Sequence, residues 1–145
     1  MDQELDISVE RTIPASPDRV AAVMFDPTHD PAWMKALTAA ELLDAPLAPG
    51  SRVRRTARFL GRSIEWTTVV QQHSPPGLLV LDIVDGPFVG RVTYEITPSK
   101  AGAQVRIRNV GRPGTFRWLP SSLMRRAMRS SLAKDLANLE AVVTS

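Results

Sequence analysis

The chain has 145 residues, 43% of them apolar and 23% charged, enough to close one hydrophobic core and too balanced for a disordered, fibrous or two-domain protein. It contains no cysteine and only two histidines, His29 and His73, which excludes disulfides, a thiolate nucleophile and a Cys- or His-built metal centre; no cofactor is expected. Net charge is +3, yet residues 1–50 carry −6 and residues 51–145 carry +9, the pattern of a basic contact surface or of two complementary parts of one domain.

Asp2, Glu4 and Asp6 make the start acidic where a secretory leader would be basic, and no apolar run approaches the roughly 20 residues of a bilayer span, so a cytoplasmic location is expected. From Leu5 to Ile13, Leu5, Ile7 and Val9 alternate with Asp6, Ser8 and Glu10, which predicts a strand with one wet face. Ser16-Pro17-Asp18 then supplies a capping hydroxyl, a first-turn proline and an acid for the helix dipole, with Val20, Val23 and Met24 at helical spacing. This short helix ends near Phe25, because Asp26 precedes Pro27 and is pushed out of the helical region. A second, very short helix is predicted over Asp30-Pro31-Ala32-Trp33-Met34, with Trp33, Met34 and Leu37 closing over an apolar space.

After Pro49-Gly50 the pattern becomes one of strands, at 51–60, 62–73, 78–84, 88–97 and 103–111, with a further strand at 38–44. Gly61, Pro75-Pro76-Gly77, Asp85-Gly86-Pro87 and the stretch from Pro98 to Gly102 punctuate them, and such short connections make neighbours antiparallel. From Leu119 to Val143, Leu123, Met124, Met128, Leu132, Leu136, Leu139 and Val143 recur at spacings of three and four, a long amphipathic helix with Pro120 near its start. Only this helix is long enough to cover the apolar face of the sheet, so the sheet wraps it in an α+β arrangement.

Five segments in this order resemble the helix-grip (SRPBCC, START-like) superfamily: Val9 through Pro17, the turn from Asp26-Pro27 to Trp33, Leu47-Ala48-Pro49-Gly50-Ser51, Pro75-Pro76-Gly77 and the terminal helix. That superfamily includes the polyketide cyclase/dehydrase-like proteins, lipid-transfer domains related to steroidogenic acute regulatory protein, and the birch-pollen allergen. The resemblance covers residues 1–145 as one domain. It implies an antiparallel sheet of about seven strands wrapped around the C-terminal helix, two short helices after strand one, and a cavity for a hydrophobic guest. Members bind or transform many such ligands without a shared catalytic motif, so the resemblance speaks to fold more sharply than to chemistry.

Strand parity sends Val53, Arg55, Ala57 and Phe59 inward, together with Trp66, Thr68 and Val70, then Leu79, Leu81 and Ile83, Val92, Tyr94 and Ile96, and Val105, Ile107 and Asn109. The outer face takes Glu10, Arg91, Glu95, Arg106 and Arg108, whose cross-strand pairing argues against a nucleic-acid site there. Met24, Trp33, Leu37, Phe59, Trp66, Leu81, Phe88, Tyr94, Met124 and Met128 are the candidate ligand-binding residues, rings and thioethers suited to a bulky apolar guest in a cavity of at least about 300 Å³. Each of them also serves as ordinary core.

Arg55 is costly to bury alone and calls for an acid, Asp26 or Asp30, or for an anionic or carbonyl-bearing ligand. Tyr94 and Asn109 are inward hydrogen-bonding groups, His29 is a candidate for the pocket rim, and His73 is structural. The leading expectation is a binding protein for a lipid, aromatic or polyketide-like molecule, acting as monomer or homodimer. The alternative is a cyclase or dehydratase in which Arg55, Tyr94 or Asn109 polarises a carbonyl and His29 removes a proton; no inward strand position supplies a carboxylate. A third reading is an interaction module. It rests on the acid-free segment holding Arg106, Arg108, Arg112, Arg117, Arg125, Arg126 and Arg129 with Phe116 and Trp118, a contact for an anionic surface or RNA if not simply a solvated helix face.

Overall fold

Seven strands, β1 (Leu5–Ile13), β2 (Leu37–Leu42), β3 (Arg52–Phe59), β4 (Arg62–Ser74), β5 (Leu78–Asp85), β6 (Val89–Ser99) and β7 (Gly102–Arg112), pair in the order β1-β7-β6-β5-β4-β3-β2, all antiparallel, and the C-terminal helix lies across one face of that sheet. The computed structural model describes residues 4–59 and 61–145; Asp2 of the acidic start and the last residue of the expected 51–60 strand lie outside them. After β1, helix α1 spans Pro17–Met24, where the Ser16 hydroxyl accepts the Arg19 N–H at 3.2 Å. The Asp26 carboxylate then accepts from the Thr28 N–H at 3.0 Å and its hydroxyl at 2.7 Å, capping a 3-10 turn over Pro27–His29. Helix α2 is only Asp30–Trp33, one residue shorter than its sequence pattern suggests.

Strands β2 through β7 all fall within two residues of their expected bounds. Register slips between Thr67 and Thr68 and between Val70 and Gln72 interrupt the β4–β5 ladder, and such bulges bend a long strand and let the sheet curl. A second 3-10 turn at Gly114–Phe116 precedes α3, Ser121–Thr144. The α3 stripe that meets the sheet is Met124, Leu136, Leu139 and Val143; Leu123 is a correction, since it is half exposed, one residue and therefore about 100° off that stripe. The architecture is the α+β helix grip: a curled seven-stranded antiparallel sheet, two short helices after β1 and the long C-terminal helix packed against it.

Charge on the outer face is paired across strands. Arg108 grips Asp6 with two bonds of 3.0 and 2.7 Å, Arg91 holds Asp82, Arg52 holds Asp44, and Arg106 sits between Glu10 and Glu95 at 3.8 and 3.6 Å. Several of these pairs join the acidic first part of the chain to the basic second part, which accounts for much of the asymmetry in charge. Being exposed, each contributes at most about 1 kcal/mol.

The core divides into two clusters. One packs Val9, Ile13, Val20, Met24, Phe25, Trp33, Leu81, Tyr94, Leu136 and Leu139 around α1, α2 and the second half of α3. The other gathers Leu5, Ile7, Phe116 and Met124, with Phe59, Phe88 and Met128 packed against it, and the rings of Phe59, Phe88 and Phe116 meet at 5.3–5.8 Å.

Candidate functional site

Between the two clusters the sheet and α3 border a partly open cavity of about 170 Å³, walled by side chains from β2 through β7 and by the Met128–Asp135 stretch of α3. Leu37, Phe59, Trp66, Leu81, Phe88, Tyr94 and Met128 line it. Met24 and Trp33 do not: both are fully buried in the first cluster, Trp33 against Tyr94 with ring centroids 5.9 Å apart. Met124 instead lines an adjoining cleft of about 140 Å³ that shares Trp66, Phe88, Val92, Asn109 and Met128 with the cavity. The expected volume of about 300 Å³ is thus not one space, because these shared side chains stand between two smaller ones.

The wall is mainly apolar, and beside Arg58, Thr68 and Ser131 it carries four polar side chains that bear on its chemistry: Arg55, Tyr94, Asn109 and Asp135. Arg55, carried inward by the alternation of β3, donates from Nε to Asp30 Oδ2 and from Nη1 to Thr68 Oγ1, both at 2.8 Å. Asp30 comes from the start of α2, so the turn Asp26 builds delivers the buried acid that Arg55 calls for. Asp26, the other acid expected to pair with Arg55, instead caps the turn and faces His29 at 3.6 Å. Burial pushes the Asp30 carboxyl up to about 6, and the guanidinium beside it holds it below where burial alone would carry it. Tyr94 is buried without a hydrogen-bond partner among the described residues, and burial reinforced by the charges of Asp30 and Asp135 raises its phenol far above its usual range, so the hydroxyl keeps its proton. The Asn109 side-chain oxygen is also buried and unpaired.

The fourth group, Asp135, was not among the residues singled out from sequence. It lies on α3 seven residues after Met128 and three after Leu132, on the face that lines the cavity. That spacing is its sequence signal: an acid inside an apolar stripe. No residue among those described hydrogen-bonds or ion-pairs its carboxylate, and burial raises it to about 7. The strands supply no inward carboxylate, as parity requires, but α2 and α3 do.

His29 stands apart from this wall. Its side chain is half exposed at the end of the 3-10 turn, outside the residues that line the cavity, because the Asp26 cap turns it outward. His73 lies at the end of β4 near Phe25, with ring centroids 6.5 Å apart. No cluster of His, Cys, Asp and Glu suited to a metal ion occurs among the described residues.

A profile of the family described as "Polyketide cyclase / dehydrase and lipid transport" matches residues 4–144. A search of the curated proteins found no match. Among solved structures, the chain is similar to TTHA0849 from Thermus thermophilus, with a TM-score of 0.84, 22% identity and 97% of each chain covered. The Zhui aromatase/cyclase from Streptomyces sp. R1128 superimposes with a TM-score of 0.82 at 13% identity, over 98% of this chain and 94% of that one. Major latex-like protein 151 from Panax ginseng does so with a TM-score of 0.76 at 13% identity, over 95% and 96%. At such identities these likenesses speak to the fold alone.

Proposed function

The chain belongs to the polyketide cyclase/dehydrase and lipid transport family, whose members bind hydrophobic ligands, and from that premise we propose that it binds an apolar small molecule with a polar edge in the cavity between sheet and α3. The observation that carries this reading is the cavity wall itself: mainly apolar, with Arg55, Tyr94, Asn109 and Asp135 among the few polar side chains, beside Arg58, Thr68 and Ser131, that line it. Such a wall suits a ligand with a carbonyl, read by the donors Arg55 and Tyr94, and a hydroxyl, read by Asp135. A void of about 150 Å³ holds benzene, so the main cavity takes a guest of about one ring. A larger aromatic or polyketide-like guest, or a lipid chain, extends into the adjoining cleft by displacing Met128 or Phe88. The working unit is the whole chain as one domain, acting in the cytoplasm.

The test is native mass spectrometry of protein purified from its own host, with extraction and identification of any bound molecule. A stoichiometric apolar adduct with a carbonyl or hydroxyl is the expected result; adducts on the wild type that persist unchanged in an Asp135→Leu, Tyr94→Phe variant would place the ligand elsewhere.

One observation favours the enzymatic alternative: Asp135 is a buried, unpartnered carboxyl with a pKa near neutrality, where a general base works best. In that reading Arg55 or Tyr94 polarises a carbonyl, and Asp135 takes the adjacent proton, the task expected of His29, then returns it to the β-hydroxyl, whose bond to carbon breaks as it leaves as water. Turnover of a β-hydroxy ketone by loss of water, with a rate that rises through about pH 7 and loses that dependence in Asp135→Asn, is the outcome it requires.

A further inference from the structure

Among the described residues, the large apolar side chains that stand most exposed, Val84, Val89, Trp118 and Leu123, gather at one end of the molecule. Val84 and Val89 flank the tip of the β5–β6 hairpin, and the Thr115 N–H donates to the Pro87 carbonyl at 2.9 Å, tying that tip to the turn before α3. Val89 and Trp118 line one surface depression together with Arg117 and Met124, and Leu123 lies beside it in the first turn of α3.

The same end is cationic. No acid occurs between Glu95 and Asp135. Arg106 and Arg108 are occupied by Glu10, Glu95 and Asp6, but Arg117, Arg126 and Arg129 are exposed and make no ion pair among the described residues.

The patch also adjoins the cavity. The cavity shares Trp66, Phe88, Asn109 and Met128 with the cleft, and the cleft shares Leu5, Val89, Pro113 and Met124 with the depression under Trp118, so the three spaces lie one behind the other with these side chains between them.

We infer that this end of the molecule docks on an anionic lipid bilayer, with Trp118 and Leu123 seated among the headgroups, the arginines over their phosphates and the cleft that adjoins the cavity facing the lipid, an outlet once Met128 or Phe88 moves aside. Tryptophan and aliphatic side chains ringed by arginine match the chemistry of that interface. Single-stranded RNA fits less well, since stacking needs several rings and the neighbouring Phe116 is buried. The role of the outlet rests on the proposed ligand site; docking itself does not.

Flotation with vesicles of phosphatidylcholine alone and of phosphatidylcholine mixed with phosphatidylglycerol, without added ligand, tests it. Binding to the mixed vesicles only, weakening as salt is raised, is expected. Arg126→Ser with Arg129→Ser lowers the partition coefficient about 30-fold. Brominated lipid quenches Trp118, and most of the quenching is lost in Trp118→Phe, since Trp33 is fully buried and Trp66 is half-buried in the cavity wall. Equal binding to neutral vesicles, no binding, or RNA binding without vesicle binding overturns the inference. These side chains are exposed, so unchanged melting temperatures verify that the variants fold. Dye binding in solution, without vesicles, reports the cavity separately, so either idea fails on its own.

Discussion

Arg55 and Asp30 meet at 2.8 Å where both side chains are almost fully removed from water, so each depends on the other. Deleting one partner of such a pair leaves an uncompensated buried charge, and Arg55→Ala is expected to cost about 3–5 kcal/mol in urea unfolding and to drive Asp30 further up from about 6. Asp135 has the opposite situation, a buried carboxyl with nothing to lose. Its pKa of about 7 in the folded protein lies above the 3.8 of the unfolded chain, so between those values the folded state holds the extra proton. Stability from this group is therefore fully present below about pH 4 and is lost as pH rises through 7. Asp135→Asn is expected to match the wild type near pH 4 and exceed it by about 1–2 kcal/mol at pH 8, allowing for the carboxyl's partial contact with solvent. Thermal melts at the two pH values check this, and a loss of stability at pH 8 would mean that the carboxylate has a partner.

Helix α3 shows at the scale of an element what pattern reveals and what it leaves out. Leu139 is fully buried against the sheet while Leu123 is half exposed, although both fit a three-and-four spacing. Leu139→Ala should cost about 2–5 kcal/mol and Leu123→Ala less than about 0.5, a contrast that equilibrium unfolding resolves. Spacing made the helix legible, and strand alternation with Pro and Gly punctuation made every strand legible, because those signals are local. The phase of the stripe was less so, since it depends on which side chains of β1 the helix meets. The turn at Asp26-Pro27 was legible, but the 3-10 geometry there and at Gly114 was not, because its causes are a single Asp26 side chain and, at Gly114, a contact with a distant hairpin. Gly114 has φ +54, and a Cβ there would run into the Pro87 carbonyl. Gly114→Ala is therefore expected to loosen the tip of the β5–β6 hairpin, seen as faster amide exchange at Thr115.

At the scale of the molecule, parity alone brought Arg55, Tyr94 and Asn109 to one face, and the structure gathers all three on one cavity wall. The cavity's volume was not legible, because it is the small difference between the space a curled sheet leaves and the side chains that fill it. That difference makes the space sensitive to one residue. Ala57 is buried on β3 and lines the cavity, so Ala57→Leu pushes three carbons into a volume of about 170 Å³ where a guest would lie. A ligand at about 100 times its Kd stabilises the wild type by about 2.7 kcal/mol, roughly 5–10 °C in melting temperature for a chain of this size. The Ala57→Leu variant should melt close to the unliganded wild type and gain nothing from the ligand. If it gains as much as the wild type, the guest sits elsewhere, and the depression under Trp118 becomes the place to look.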